Sequence, residues 1–523
     1  MQTRTSDALP SYLARFCPPA SQWPLAILVL SSAFVLLWNL GVGSLYAWDE
    51  AVYAQVAKEI LQTRDWLTPH YEYQVWIDKP PLLMWLTAIF FQSFGVTEFW
   101  ARAASAFSGI GLVAITYAVG NLIHGRRVGL IAAAVLLTSH DFVLYARSGM
   151  TDIMLTLFTW IALYAFLRAE ANGSRRWWWL VGVAVALAIM TKSLAAFVAP
   201  LVIVLTATAR RRLFTTLVSP DFLVAVLIAA MIIAPWHVLM YMVHGKAFVD
   251  GYIGFHIAHF TSIVQTNTAD RFFYVTKLAE GFYPWFYLLP FALGVSIKES
   301  LEGESRWRSL LLTTLVVFIC FTISRTKLAW YILPLYPAIA VLAAYAIDRA
   351  WNTCPSIECS GLIVAAAVVA LTVSRMVAVA FAVPVLIIGV LFVSTRRLAL
   401  KPLVATLFVF LLVAAVSNIR SLYASSESPV ARLARVAVAA GPADREPLIV
   451  SSGLFRPTPL FYSNRPILEA RTVADVTEFI RRNHAKRIIL SKADLPALLM
   501  KCDVDVVDEA GALMYAIIRN KNY

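Results

Sequence analysis

Two short charged clusters mark the first hundred residues, and each could take part in catalysis. Asp49 and Glu50 follow the first long apolar run, and Asp78-Lys79 comes farther along, directly before Pro80-Pro81. A carboxylate can activate or orient a nucleophile, and an ammonium can offset the charge of a departing phosphate. Ionisable residues close to membrane spans are by default candidates for functional sites. We therefore expect the chemistry of this protein in the loop that carries both clusters.

The composition is that of a polytopic membrane protein. Of its 523 residues, 60% are hydrophobic and 14% are charged, and the mean hydropathy is +0.71. The formal net charge of +13 comes from short basic clusters between apolar runs. It therefore indicates membrane topology and not a nucleic-acid-binding face. The five cysteines are too dispersed for a disulfide framework, and no cleavable signal peptide is evident at the N-terminus.

Thirteen apolar segments are predicted to span the membrane, with a cytoplasmic N-terminus over residues 1–23 and a transmembrane domain over 24–418. Leu82–Phe94 is also apolar but too short to cross, and we predict that it lies at the interface. The thirteen segments are 24–40, 99–121, 128–146, 152–168, 177–191, 194–209, 221–241, 281–297, 309–323, 328–347, 361–379, 380–394 and 402–418.

This arrangement gathers the basic clusters on one side, which the positive-inside rule makes cytoplasmic. These clusters are Arg126-Arg127, Arg168, Arg175-Arg176, Arg210-Arg211-Arg212, Lys298, Arg306, Arg308, Arg349 and Arg396-Arg397. The opposite side receives the loops 41–98 and 242–280, the turns 147–152 and 325–327, Lys192 and the C-terminal tail. Nearly all the unusual polar residues therefore fall on the predicted outer face.

Two helices and a soluble domain are predicted on that face. Residues 49–61 place apolar side chains on one stripe and Gln55, Lys58, Glu59 and Gln62 on the other, which is typical of an amphipathic helix in the membrane plane. Leu82–Phe94 forms the second interfacial helix. The tail 419–523 is predicted to be a small periplasmic α/β domain, with strands at 447–453, 487–493 and 513–519 and a helix capped by Thr472.

A series of short motifs, in order over roughly residues 25 to 350, resembles the bacterial lipid A aminoarabinose transferases, which are relatives of the protein O-mannosyltransferases. The motifs are Asp49-Glu50 with Tyr53-Ala54, Arg64-Asp65-Trp66, Pro69-His70, Lys79-Pro80-Pro81, Thr151-Asp152, Met190-Thr191-Lys192, Ala234-Pro235-Trp236, Pro284-Trp285, Lys327-Leu328 and Tyr331-Ile332-Leu333. Three positions depart from the family pattern: Arg64 and Ser193 stand where the family has Gly, and Asp78 stands where it has Glu.

The resemblance implies a GT-C glycosyltransferase fold with thirteen spans and a C-terminal periplasmic domain. It also implies transfer of a sugar from a polyprenyl-phosphate carrier to a periplasmic acceptor in the bacterial inner membrane. Within the family, we expect 4-amino-4-deoxy-L-arabinose to move from undecaprenyl phosphate to lipid A. The alternatives are a transferase of another sugar to a lipid or protein acceptor, and a transporter or flippase of lipid-linked sugars without chemistry.

A polyprenyl-phosphate donor requires cations beside its phosphate and a carboxylate beside the acceptor. The candidates for the phosphate are Lys79, Lys192, Arg271, Lys327 and the Tyr331 hydroxyl, and the resemblance favours Lys79 and Tyr331. Asp49 is the candidate general base or electrostatic partner of the substrate. Asp152 is expected to orient the sugar or the interfacial helices. Glu50, Asp78 and Arg102 complete the expected substrate-binding set.

Several of these residues also have structural explanations. Glu50 could cap the interfacial helix, and Arg102 could pair with Asp49 or Glu50. Lys192, Arg325 and Lys327 could anchor the chain among lipid headgroups. We expect no required cofactor, although Asp78, His256 and His259 could together hold a divalent cation.

Overall fold

The computed structural model describes residues 23–45, 49–262, 272–352, 409, 413, 427–439, 446–451, 457–483 and 486–519. Arg271 and the side chain of His259 lie outside the described residues. So do the predicted spans 361–379 and 380–394, and nearly all of 402–418.

The first part of the chain forms one long apolar helix bundle with a polar loop between its first two long helices. Its first eight helices in the described chain are α1 (Trp23–Leu37), α2 (Asp49–Thr63), α3 (Leu82–Phe94), α4 (Glu98–His124), α5 (Arg126–Leu137), α6 (His140–Ala146), α7 (Thr151–Asn172) and α8 (Arg175–Lys192). Two short strands, β1 (His70–Tyr71) and β2 (Gln74–Val75), pair as a hairpin between α2 and α3.

The bundle continues after a 3₁₀ turn at Ser193–Phe197. Its remaining helices are α9 (Val198–Ala209), α10 (Leu213–Leu217), α11 (Pro220–His244), α12 (Lys246–Thr261), α13 (Phe273–Gly281), α14 (Leu289–Leu301), α15 (Ser305–Ile323) and α16 (Tyr336–Asn352). Further 3₁₀ turns at Trp285–Leu288 and Ala329–Leu335 lead into α14 and α16.

By length and hydropathy, six helical stretches of the described chain could each cross a membrane. Helices α5 and α6 meet at 68° and are not counted among these six; if the bent pair is taken as one span, the number is seven. The stretch 175–209 counts once by this measure, yet its contacts show that it reverses. Lys192 reaches Asp152 at the start of α7, whereas Arg210 reaches Glu170 near the end of α7. Residues 175–192 and 198–209 therefore run antiparallel, as the predicted spans 177–191 and 194–209 require.

Ion pairs collect at one end of the bundle, which we call the basic end. Four of its arginines form ion pairs with acids that are distant in the sequence: Arg127 with Asp348, Arg175 with Asp221, Arg210 with Glu170, and Arg349 with Glu299. Arg306 donates to the carbonyl of Leu122 at the same end. The loop 49–98 lies at the opposite end, which we call the loop end. The predicted clustering of basic residues on one side is thus present for these five arginines, whereas Arg396-Arg397 lie outside the described residues.

Helix α3 returns to the side from which it starts. Lys79, just before α3, lines a cavity with Asp152 and Lys192 at the loop end. Glu98, just after α3, pairs with Arg435 of the C-terminal domain, which also packs at the loop end. Both ends of this 13-residue helix are therefore on one side, as predicted for a segment too short to cross.

Helix α2 has the predicted position in the sequence but different surroundings. The helix runs from Asp49 to Thr63, yet Gln55 and Glu59 on its polar stripe are buried. The β1–β2 hairpin covers Glu59, and the C-terminal domain contacts Lys58. Two of the four residues on the polar stripe therefore face protein, whereas Gln62 is exposed. The position of α2 in the membrane plane stays a prediction.

The C-terminal residues form an α/β domain with a five-stranded sheet of order β4-β3-β5-β7-β6. Its elements are α17 (Pro429–Ala439), β3 (Leu448–Ser451), α18 (Pro457–Ser463), β4 (Ile467–Ala470), α19 (Val473–Asn483), β5 (Arg487–Ser491), α20 (Leu495–Leu499), β6 (Asp503–Ala510) and β7 (Leu513–Arg519). Strands β4, β3 and β5 are parallel, whereas β7 is antiparallel to β5 and β6. The Thr472 hydroxyl caps α19 by accepting the Asp475 N–H, as predicted.

Candidate active site

A cavity of about 660 Å³ opens at the loop end among α7, α8, α9, α12 and α15. We call it the loop-end cavity. Its polar side chains are Lys79, Asp152, Lys192, His256, Ser324 and Tyr331. Its other walls are apolar and come chiefly from residues 194–204, with Leu155, Phe255, Cys320 and Phe321. Leu194, Phe197 and Leu201 in this wall are also exposed on the bundle surface. The cavity therefore joins a charged end to an apolar groove that reaches the exposed apolar surface of the bundle.

Asp152 and Lys192 form a buried ion pair in this cavity. Asp152 lies in the first turn of α7 and Lys192 ends α8, so the antiparallel packing of the two helices brings the side chains together. The Lys192 Nζ lies 2.5 Å from Asp152 Oδ1 and 4.4 Å from the centre of the Tyr331 ring. A buried charge is costly unless it is paired. The pair therefore gives each of these two buried groups a partner of opposite charge at the wall of the cavity.

Lys79 is the second ammonium of the cavity and is held differently. The residue is buried, and its Nζ lies 4.9 Å from the centre of the Phe255 ring on α12. Within the described part of the chain, no carboxylate forms an ion pair with it. Burial, together with the nearby charge of Lys192, lowers the pKa of Lys79 to about 8. Pro80-Pro81 stiffen the backbone that follows. Lys79 is thus a cation available to an anionic ligand.

Asp49 begins α2 close to these groups but outside the cavity lining. Its Oδ2 accepts a hydrogen bond of 3.0 Å from the Tyr53 hydroxyl. Burial raises the pKa of Tyr53 well above its ordinary value, and the charge of Asp49 adds to this effect. The same charge favours the ammonium form of Lys79 and so opposes the effect of burial on its pKa. Asp49 is therefore placed to act on a substrate that reaches Lys79 from the α2 side.

Glu50 and Arg102 bind each other away from the cavity. The Arg102 Nε lies 2.8 Å from Glu50 Oε1, and the guanidinium also donates to the carbonyls of Leu40, Val42 and Ser44. The same Glu50 oxygen accepts the Gly149 N–H at 2.9 Å. Glu50 therefore joins three segments, a larger role than the predicted helix cap. The geometry favours the pairing alternative for Arg102 over contact with substrate.

The remaining candidates differ in whether they line the loop-end cavity. Lys327 is buried and donates to the carbonyl of Ser324 at 2.8 Å, beside the cavity but not in its lining. Asp78 is half-buried next to Lys79, and its charge favours the ammonium form of Lys79. His256 lines the cavity. Among the described residues, no group of three His, Cys, Asp or Glu side chains is arranged to hold a metal ion.

Three residues near the site had no assigned functional role from the sequence. Ser193 binds His256 through a 2.5 Å contact between Oγ and Nε2. Tyr53 binds Asp49, and the buried carboxylate of Glu59 accepts the backbone N–H groups of Glu72 and Tyr73. All three depend on contacts between distant segments or on tertiary burial. The sequence signals were the place of Tyr53 in the Asp49-Glu50 motif and the departure from the family pattern at Ser193.

Comparison of the sequence with known proteins confirms the resemblance inferred from the motifs. Residues 78–239 match the family described as dolichyl-phosphate-mannose-protein mannosyltransferase. A protein of Pectobacterium carotovorum subsp. carotovorum (strain PC1), named undecaprenyl phosphate-alpha-4-amino-4-deoxy-L-arabinose arabinosyl transferase, is 31% identical over 327 residues. That match covers 61% of this chain and 58% of the relative. The chain thus matches less than two thirds of the length of this relative.

Comparison of structures confirms the predicted fold class. The crystal structure of ArnT from Cupriavidus metallidurans bound to undecaprenyl phosphate matches with a TM-score of 0.72 at 22% identity, over 95% of this chain and 98% of that one. The Archaeoglobus fulgidus oligosaccharyltransferase matches with a TM-score of 0.58 at 14% identity, over 92% of this chain and 71% of that one. The chain has the helical GT-C fold with an additional C-terminal sheet domain. The count of thirteen spans stays a prediction.

Proposed function

We propose that this protein is an integral-membrane glycosyltransferase that moves a sugar from a polyprenyl-phosphate carrier to an acceptor at the loop end. The observation that carries the proposal is the combination of charged and apolar surfaces in the loop-end cavity. A polyprenyl phosphate has a charged head and a long hydrocarbon tail. Lys79 and Lys192 suit the head, and the groove along residues 194–204 suits the tail.

The proposed chemistry replaces one bond to the sugar by another. An oxygen of the acceptor attacks the anomeric carbon, and the bond between that carbon and the phosphate oxygen breaks. The leaving group is the polyprenyl phosphate, which keeps the bonding electron pair and gains negative charge. Lys79 stabilises this charge, as preorganised cations do at departing phosphates. Asp49 accepts the acceptor proton where the acceptor is a hydroxyl, or orients a charged group of the substrate.

The Asp152–Lys192 pair supports this reaction by fixing the second cation. Because Asp152 already binds Lys192, the ammonium presents a fixed position to the phosphate and does not swing toward other carboxylates. Tyr331 places its ring against Lys192 and belongs to the cavity lining. Lys192 and Tyr331 therefore complete the proposed phosphate site beside Lys79.

The proposed sugar is 4-amino-4-deoxy-L-arabinose, the carrier is undecaprenyl phosphate and the acceptor is lipid A. The name of the Pectobacterium relative and the undecaprenyl phosphate bound in the Cupriavidus crystal structure support this choice. The proposed location is the bacterial inner membrane, with the loop end periplasmic and the basic end cytoplasmic, in keeping with the positive-inside rule. The proposed domain boundaries are those predicted from the sequence, with the periplasmic domain over 419–523.

The test uses purified full-length protein in lipid nanodiscs, supplied with undecaprenyl-phosphate-linked 4-amino-4-deoxy-L-arabinose and lipid A. Mass spectrometry should detect lipid A that is heavier by one aminoarabinosyl residue, together with free undecaprenyl phosphate. Lys79→Ala serves as the site control and should form far less product. Movement of intact donor between leaflets without a new glycosidic bond would establish the transporter alternative and contradict the proposal.

A second arm identifies the substrates. Donors carrying a neutral sugar, and a polypeptide acceptor, replace the aminoarabinose donor and lipid A one at a time. Product from a neutral-sugar donor alone would keep the transferase class and overturn the choice of sugar. Product on the polypeptide alone would overturn the choice of lipid A.

A further inference from the structure

The C-terminal half of α12 forms one wall at the charged end of the loop-end cavity. Phe255 places its ring on the ammonium of Lys79, and His256 hydrogen-bonds Ser193, the residue next to Lys192. Two adjacent residues of α12 thus contact, respectively, one proposed phosphate-binding lysine and the residue that follows the other. A shift of this half-helix would alter the surroundings of both.

The N-terminal half of α12 is held by an aromatic cluster on α11. The ring centres of Phe248 and Tyr252 lie 5.6 and 5.9 Å from that of Trp236. The Tyr252 hydroxyl lies 3.2 Å from Nε2 of His237. This anchoring lies about one turn or more before Phe255 along the helix. His256 continues this cluster, since its ring centre lies 5.2 Å from that of Tyr252, and it adds the contact with Ser193 inside the cavity.

We propose that Ser193 is a positioning residue that holds His256, so that α12 keeps Phe255 on Lys79 and shapes the site for a polyprenyl-phosphate headgroup. This inference rests on the proposed function. Ser193 itself is buried, and its hydroxyl is the group that reaches the imidazole.

The experiment measures binding of undecaprenyl phosphate to the full-length protein in nanodiscs, with no acceptor present. Ser193→Ala should weaken binding by about three- to tenfold, the range expected for loss of one hydrogen bond of about 0.5–1.5 kcal/mol. Ser193→Thr keeps the hydroxyl and should bind as the wild type does. His256→Gln keeps a hydrogen-bonding group near the position of Nε2 and should retain more affinity than His256→Ala.

A double-variant comparison separates this positioning role from a general packing defect. Since Ser193 is proposed to act through the seating of Phe255 on Lys79, Ser193→Ala should cause little further loss in a Lys79→Ala background. Thr261→Ala is the matched control on the same helix, because its exposed hydroxyl bonds, among the described residues, only the Ile257 carbonyl of its own helix. This control should bind undecaprenyl phosphate normally.

Each outcome has a distinct meaning. Absence of undecaprenyl phosphate binding by the wild type would contradict the proposed function itself. Two outcomes would overturn the positioning role alone. In the first, the wild type binds undecaprenyl phosphate and Ser193→Ala binds it equally well. In the second, Ser193→Ala lowers the affinity by the same factor in the wild-type and Lys79→Ala backgrounds. A metal site at His256 would also overturn the inference. It would be indicated if a chelator removed undecaprenyl phosphate binding, Zn²⁺ restored that binding, and His256→Gln did not regain it with Zn²⁺.

Discussion

At the scale of single residues, the lysines near the loop-end cavity differ in what holds them. Lys192 is paired with Asp152, and Lys327 donates to the Ser324 carbonyl. Lys79 lies over an aromatic ring, and among the described carboxylates none forms an ion pair with it. A cation whose nearest partner is a ring keeps its hydrogen-bonding capacity for a ligand. Lys79 is therefore the residue on which binding of the donor phosphate should depend most.

The pKa of Lys79 predicts how donor use depends on pH. Because burial lowers this pKa to about 8, the free enzyme loses its ammonium as the pH rises through that value. The ratio kcat/KM for the donor should fall above about pH 8, approaching tenfold per pH unit. A bound phosphate favours the ammonium, so kcat should decline at a higher pH than kcat/KM does. Initial rates across pH 6.5–10 (roughly the range around this pKa) measure both curves.

Lys79→Arg provides the control for this profile, since guanidinium stays charged across the whole range. Its kcat/KM should be lower because its geometry differs, but the decline near pH 8 should disappear. An unchanged alkaline limb in Lys79→Arg would assign the titration to another group. The contribution of Lys79 to stability changes with pH in the opposite direction to donor use. Between about pH 8 and 10 the unfolded chain binds more protons at this residue than the folded chain does, so the free energy of unfolding rises with pH.

Asp49 gives the second prediction at this scale. Asp49→Asn keeps the size of the side chain and an oxygen that can accept from Tyr53, but it removes the charge and the basicity. Turnover should fall by about 10²-fold or more, as for other catalytic acids and bases, with little change in undecaprenyl phosphate binding. Single-turnover kinetics and equilibrium binding separate the two quantities. Near-normal turnover in Asp49→Asn would reduce Asp49 to a residue that supports α2.

At the scale of elements, the β1–β2 hairpin shows how a buried acid supports the loop that bears Lys79. The turn residues Glu72 and Tyr73 have φ values of 54° and 59°, a conformation that residues with side chains adopt at a cost. The Glu59 carboxylate accepts both of their N–H groups, at 3.0 and 2.8 Å, and a third bond from Gln55. The helix α2 therefore fixes the hairpin, and the hairpin leads directly to residues 76–81.

Glu59→Gln should disturb this arrangement, because the amide replaces one acceptor oxygen by a donor. One turn N–H then loses its partner inside the protein, which should lower the free energy of unfolding by about 1–3 kcal/mol. The donor KM should rise, since the loop carrying Lys79 is held less firmly. Thermal unfolding and donor titration provide the measurements. Gln62→Ala removes the exposed bonds to the Tyr73 hydroxyl and to Asn464 but leaves the Glu59 carboxylate on both turn N–H groups, so it should raise the donor KM less than Glu59→Gln does.

Adding Glu72→Gly to Glu59→Gln tests the physical reason. Glycine adopts positive φ without steric cost, so the second change should recover part of the lost stability. If the double variant unfolds at the same temperature as Glu59→Gln, the conformation of the turn is not what Glu59 stabilises.

The sequence predicted the elements whose signals are local. The 3.6-residue pattern located α2 to within two residues of its end, the apolar run gave α3 at its observed bounds, and Thr472 marked the start of α19. The burial of Glu59 and the pairing of Glu50 with Arg102 could not be read from a helical pattern. Both depend on segments that meet only in the folded chain. Strand β6 was missed because its aspartates are unfavourable in strands.

At the scale of the whole molecule, the C-terminal domain is joined to α2 and to the segment before it by specific contacts. Lys58 of α2 donates to the Phe461 carbonyl at 2.8 Å, and Gln62 donates to Asn464 at 3.0 Å. The Leu45 N–H donates to the Tyr462 hydroxyl at 2.8 Å. The domain therefore lies at the loop end of the bundle, beside the cavity and opposite the arginines of the basic end. If one end is periplasmic, the domain and the cavity share that side.

We predict that the loop end, with the cavity and the C-terminal domain, faces the periplasm and that the basic end faces the cytoplasm. Gln74 in the hairpin and Met500 in the C-terminal domain are exposed at the loop end, whereas Arg211 and Leu301 are exposed at the basic end. Single cysteines at these four positions, in a variant without the five native cysteines, are treated with an impermeant thiol reagent on intact spheroplasts. Gln74→Cys and Met500→Cys should react, and Arg211→Cys and Leu301→Cys should react only after the membrane is permeabilised.

The cysteine-free parent must retain donor binding as the control. Labelling of Gln74 and Arg211 from the same side would mean that α3 crosses the membrane, and labelling of only the basic-end pair would place the cavity in the cytoplasm.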